Sequence, residues 1–138
     1  MFSWFQSPKK DRANFEMVQY AIKYPEYYYL INTLPITEQQ CLIKGTLDAY
    51  LEEQTMNDML YNFYTAERKV IIYGKNADDD TIWTKCDQLK QHGLREVYVY
   101  SGGLFEWMLL QDIYGDTSFP TTSKQLDILR YKSQCGPH

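Results

Sequence analysis

Apolar positions along the chain fall into short clusters, some with helical spacing and some in unbroken runs. Asn14 can cap a first helix in which Phe15, Val18 and Ile22 form one stripe, and Pro25 ends it. Tyr28-Tyr29-Leu30-Ile31 predicts a short strand, stopped by the polar and proline-bearing residues 32–35. A short extended segment at Thr46-Leu47 leads to a helix over residues 50–64, where Met56, Met59, Leu60 and Phe63 share a face. Val70-Ile71-Ile72-Tyr73 lacks polar alternation, as expected of a central parallel strand buried on both sides. After a polar loop over residues 74–80, Ile82, Cys86 and Leu89 line a helix over residues 81–91, which Gly93 stops. Val97-Tyr98-Val99-Tyr100 predicts another strand, and Ser101-Gly102-Gly103 turns the chain into an apolar helix over residues 104–113. Thr122 and Gln125 have capping-box spacing and predict a last helix carrying Leu126 and Leu129.

Strand, loop and helix in alternation imply an α/β domain, with a mainly parallel sheet covered by helices on both faces. The 138 residues suit one such domain over residues 15–131, with an N-terminal extension (1–14) and a flexible C-terminal tail (132–138).

Composition narrows the function more by exclusion than by indication. Fourteen basic and eighteen acidic residues give a net charge of -4, so nothing draws the whole molecule to nucleic acid. No apolar run approaches the roughly 18 residues of a membrane span. The apolar start Met1-Phe2-Ser3-Trp4-Phe5 is too short for a signal-peptide core. Three scattered cysteines, Cys41, Cys86 and Cys135, fit a reducing cytoplasm better than a disulfide framework. Neither they nor His92 and His138 have zinc-site or catalytic spacing, so no metal or cofactor is expected. The thirteen tyrosines imply phenolic hydroxyls in the core, each needing a partner.

Three fragments in order carry a resemblance. They are an early stretch that keeps only Glu38, Ile43 and Gly45 of its family type, the buried strand Val70-Ile71-Ile72-Tyr73 with its loop and helix, and the strand ending at Tyr100 followed by Gly102-Gly103 and, four residues beyond the second glycine, Trp107. Residues 70–107 resemble the rhodanese-like domain family, and the resemblance extends over residues 15–120. It implies a three-layer rhodanese-like fold, with a reactive cysteine at the first position of the loop after the buried strand. The tyrosine- and asparagine-bearing style of the chain also resembles proteins of large DNA viruses of microbial eukaryotes.

In that family a ring of backbone N–H groups and a helix terminus stabilise the cysteine thiolate or persulfide, and a loop arginine helps hold the anionic substrate. The loop here reads Gly74-Lys75-Asn76-Ala77-Asp78-Asp79-Asp80. Gly74 stands at the cysteine position and Asp79 near the arginine, so the nucleophile is missing and the anion-holding charge is reversed. Phosphatase chemistry on the same fold needs the same two residues. The aspartates are read first as helix-terminal groups, then as a weak cation site or a surface for a basic partner.

Cys41, near a turn that borders the family's active-site end, is the candidate for a relocated thiol, but no base lies beside it in sequence. Cys86 reads as a small buried hydrophobe. Three functions follow. The first is a catalytically silent rhodanese-like module for binding or regulation, which is not an enzyme. The second is a sulfurtransferase-like enzyme with its chemistry displaced to Cys41 or to a cation at Asp78, Asp79 and Asp80. The third is a structural or assembly protein using the apolar helix 104–113. The expected partner is an unidentified protein or a second copy in a weak homodimer.

Overall fold

The computed structural model describes residues 11–61 and 68–134. Four strands, β1 (Arg12–Ala13), β2 (Tyr28–Asn32), β3 (Lys69–Tyr73) and β4 (Val97–Tyr100), form one sheet. Their order is β1-β4-β3-β2 and every pairing is parallel. β3 is flanked on both sides, with Ile72 opposite Ile31 in β2 and Val99 in β4. Thr46 extends the far edge by a single parallel bridge to Leu30.

Strand side chains alternate between two cores, which is why unbroken apolar runs suit these strands. Leu30, Ile71, Tyr73 and Tyr100 face one side, where α1 (Phe15–Lys23) adds Val18 and Ala21 and α4 (Gly103–Tyr114) adds Leu104, Trp107 and Met108. Ile31, Val70, Ile72, Val97 and Val99 face the other. There α2 (Ala49–Tyr61) adds Met56 and Met59, and α3 (Thr81–Gln91) adds Ile82, Cys86 and Leu89. The molecule is thus a three-layer α/β sandwich with a parallel central sheet.

Local chemistry accounts for most boundaries. Asn14 caps α1, its side-chain oxygen accepting from Met17 N at 2.9 Å. Gly93, at φ 113°, follows the end of α3 in the left-handed region that glycine tolerates. Trp107 is fully buried edge-on against Tyr100 and Phe119, and its indole Nε1 donates to the Pro120 carbonyl at 3.1 Å.

Two expectations need correction. Residues 12–13, placed in the N-terminal extension, are a strand of the sheet; Arg12-Ala13 is too short to register as a periodic run, and its pairing with β4 depends on a distant segment. The last helix is not present. Thr122 Oγ1 accepts from Leu42 N at 3.0 Å, a tertiary bond in place of a cap, and the chain makes only a 3₁₀ turn at Ile128–Tyr131. Leu126 and Leu129 are accordingly 85% and 62% exposed. The apolar start of the chain, Phe63, Tyr64, Cys135 and His138 lie outside the described residues.

Candidate functional site: a self-filled loop at the sheet edge

β3 ends at Tyr73 at the C-terminal edge of the parallel sheet, where ligands of open α/β folds bind. The Tyr73 hydroxyl is buried but satisfied, lying 2.7 Å from Thr46 Oγ1 and accepting from Ile43 N at 3.1 Å. Burial pushes this phenol well above the ordinary tyrosine range, and its two hydrogen bonds only partly offset the shift. Tyr73 is therefore a neutral strut that ties the turn 43–46 to the sheet.

The loop after Tyr73 is clamped from α4. Leu104 N donates to the Gly74 carbonyl and Phe105 N to the Lys75 carbonyl, both at 2.9 Å. That approach requires glycine at 103. Its φ is +69°, and a Cβ there would lie 2.8 Å from Gly74 O and 2.9 Å from Asn76 N. The glycine pair therefore solves a backbone problem. Asn76 is buried within the loop, donating to the Tyr131 carbonyl and accepting from Asp78 N, each at 2.9 Å. Lys75 reaches back to Glu38 at 3.1 Å. The two candidates thus pair with each other across the loop.

Asp79 turns inward. Its Oδ2 accepts from Lys75 N and its Oδ1 from Thr81 N, each at 3.0 Å, and the Thr81 hydroxyl also donates to Oδ1. Asp80, at the N-cap of α3, makes no side-chain cap, so the capping falls to its neighbour. A Cβ built on Gly74 would overlap Asp79 Oδ2 and lie 2.9 Å from its Cγ and 3.0 Å from Ile82 Cγ2. The carboxylate occupies the space that a side chain at 74 would need, and it takes two backbone N–H groups available to an anion. Sequence spacing places Asp79 in the loop; the inward rotamer depends on the missing Cβ next to it.

Ala77, Asp78 and Asp80 remain exposed. Among the described residues no three His, Cys, Asp or Glu side chains come together as metal ligands. Cys41 is buried, with its thiol donating to the Ser123 carbonyl at 3.2 Å. Cys86 is buried on the opposite face of the sheet, where loss of solvent pushes its thiol pKa up. Both are free thiols. His92 is exposed at the end of α3 and its backbone N donates to the Gln88 carbonyl.

Sequence reasoning missed a second carboxylate folded over a glycine. A Cβ on Gly102 would fall on Glu106 Oε2. Glu106 lies beside the Tyr100 hydroxyl, which is buried without a well-formed hydrogen bond. Burial and the Glu106 charge both push that phenol up.

The layers, the all-parallel sheet and the β3 loop seated on the glycine pair that follows β4 make a rhodanese-like α/β fold. No family model matches the sequence, and no curated protein matches it. Solved structures do. The solution structure of the rhodanese-like domain of Alr3790 from Anabaena sp. superposes with a TM-score of 0.59 at 14% identity, covering 93% of this chain and 87% of that one. A crystal structure of Alr3790 gives 0.58 at 15% identity, with 86% of each chain covered. A full-length protein from Lactobacillus plantarum gives 0.60 at 12% identity, covering 87% of this chain and 93% of its own. At such identities the likeness is one of fold.

Proposed function

We propose that this chain is a catalytically silent rhodanese-like domain that serves in the cytoplasm as a binding or regulatory module. The observation that carries the reading is Asp79. Its carboxylate lies where a nucleophile at 74 would stand and accepts the N–H groups of Lys75 and Thr81. Sulfur transfer on this fold runs through a persulfide, and glycine has no atom to carry one. Thiosulfate and phosphate would also meet Asp78 and Asp80 at the mouth of the loop. Cys41 supports a structural role, since its thiol is buried and spent on a backbone carbonyl.

The test is mass spectrometry of the protein after thiosulfate exposure, followed by cyanide. No adduct and no turnover of thiosulfate or of a phosphate ester are expected. A stoichiometric sulfur adduct on Cys41 or Cys86 that cyanide removes catalytically would instead establish the displaced-thiol enzyme. Gly74→Cys alone is expected to restore little transfer, because the new side chain must first expel Asp79. Gly74→Cys with Asp79→Arg is expected to do better.

A second reading, assembly through α4, is favoured by one observation. Leu104, Trp107 and Met108 are buried against the sheet, whereas Leu109, Ile113 and Tyr114 on the same helix remain exposed. That strip is the surface offered to a second copy.

A further inference from the structure

After α4 the chain returns to the loop at the C-terminal edge of the sheet. Residues 121–123 are fastened to the turn at 40–43. Thr121 bridges Ile43, Thr122 exchanges two bonds with Leu42, and Ser123 Oγ donates to the Gln40 carbonyl at 2.8 Å. From residue 124 to residue 134 Tyr131 alone is buried. Its ring lies in the core that holds Cys41, and its carbonyl accepts from the buried Asn76 Nδ2 at 2.9 Å. Burial pushes the Tyr131 phenol up, and Cys41 and Glu38 lie close enough to add to the shift. We propose that residues 124–131 are a releasable strap, hinged at residues 121–123 and pinned by Tyr131. Its release uncovers Cys41 and the Asn76 amide while the sheet and helices stay folded.

The bonds within this segment are mostly its own. Asp127 N donates to Gln125 Oε1 and Arg130 N to the Asp127 carbonyl. The Arg130 guanidinium lies 5.5 Å from the Tyr131 ring centroid, and Gln125 is the partner of the Tyr131 phenol. The segment can therefore leave as a unit. Among the described residues, the bond from Asn76 is the one hydrogen bond that joins residues 124–132 to the rest of the fold, and Ile128 adds a half-buried apolar contact. Between the strap and the C-terminal half of α4 lies an open cleft of about 910 Å³, lined by Gln111, Asp112, Lys124, Leu126 and Ile128. The strap thus arches over space instead of packing along the helix. The free energy of opening follows the surface uncovered and the bonds broken, and one ring with one bond is far less than the two cores that global unfolding exposes. Cys41 reports on the strap, and Cys86, buried in the opposite core, is the internal control. The proposal does not rest on the silent-loop reading, because it concerns when the loop is covered and not what it catalyses.

The experiment alkylates the full chain with N-ethylmaleimide across a urea series. Peptide mass spectrometry reads each cysteine, and the chain unfolded in urea is the reference. Cys41 is expected to be on the order of a hundredfold less protected than Cys86, at a rate that hardly changes in low urea, whereas Cys86 follows global unfolding. Ile72→Val, in the core that holds Cys86, is expected to speed Cys86 about threefold to tenfold and to leave Cys41 unchanged. Tyr131→Ala is expected to lower the protection of Cys41 at least about tenfold, with circular dichroism showing a folded chain. The unsubstituted chain and Ile72→Val decide the question even where Tyr131→Ala fails to fold. The proposal is overturned if the two thiols are equally protected and share one urea dependence, if Ile72→Val speeds both alike, or if Cys41 stays protected in folded Tyr131→Ala.

Discussion

At the scale of single residues, the missing Cβ at 74 and the carboxylate of Asp79 form one unit. Asp79 accepts two backbone bonds and one hydroxyl bond, so Asp79→Ala leaves donors in a half-buried loop unpaired and is expected to cost about 1–3 kcal/mol. Gly74→Cys displaces the same carboxylate, so the two changes are not additive. A double-mutant cycle in urea is expected to return a coupling on the order of 1 kcal/mol, with Gly74→Cys milder once Asp79 is alanine. Purely additive costs would mean the carboxylate does not occupy that space. Glu106 allows a pH test. Burial pushes its carboxyl above the ordinary glutamate value of 4.5, partly offset by the Tyr100 hydroxyl. Between that value and the raised one the folded state holds the proton more tightly than the unfolded chain, so this group's contribution falls as pH rises. Glu106→Gln is therefore expected to flatten the loss of stability just above pH 4.5, and the urea midpoint followed from there to neutrality measures it.

At the scale of elements, hydrogen bonds between distant backbones decide what local pattern leaves open. The first turn of α4 spends the N–H groups of Leu104 and Phe105 on the carbonyls of Gly74 and Lys75, which fixes the loop. Gly103→Ala must break that seam or strain a positive φ, at an expected cost of about 1–3 kcal/mol or more in denaturant unfolding. Leu126→Ser, in the segment whose capping pattern predicts a helix, is expected to change stability by no more than about 0.5 kcal/mol, because the side chain is exposed. A large loss there would mean that the segment packs elsewhere in solution.

For the whole molecule, the two cores on either side of one parallel sheet leave part of α4 exposed, as they do Ile36, Tyr50, Leu51 and Tyr61 elsewhere among the described residues. Among the described residues no helix is long and apolar enough to cross a membrane. Leu109, Ile113 and Tyr114 motivate weak self-association. Sedimentation velocity is expected to show the weight-average coefficient rising with concentration, and Ile113→Glu to abolish the rise. A coefficient independent of concentration would rule out the α4 contact.

The residues alone determine the layer plan, because runs such as Val70-Ile71-Ile72-Tyr73 are stable only when both faces are covered. The cap at Asn14 and the stop at Gly93 are legible for the same reason: each answers to its own backbone or nearest neighbours, whereas glycine at 103 is needed also by the approach of the distant 74–76 loop. Glycine at 74 is legible too. The inward turn of Asp79 is not, since its acceptor role depends on N–H groups placed by β3 and α3 together. β1 escapes detection because a two-residue strand carries no period and exists only through β4. The capping pattern at Thr122 and Gln125 misleads because Leu42, eighty residues earlier, takes the Thr122 hydroxyl as its acceptor. Local rules hold where the partner is close in sequence; where it comes from another strand or loop, only the assembled fold selects among the hydrogen bonds a side chain can make.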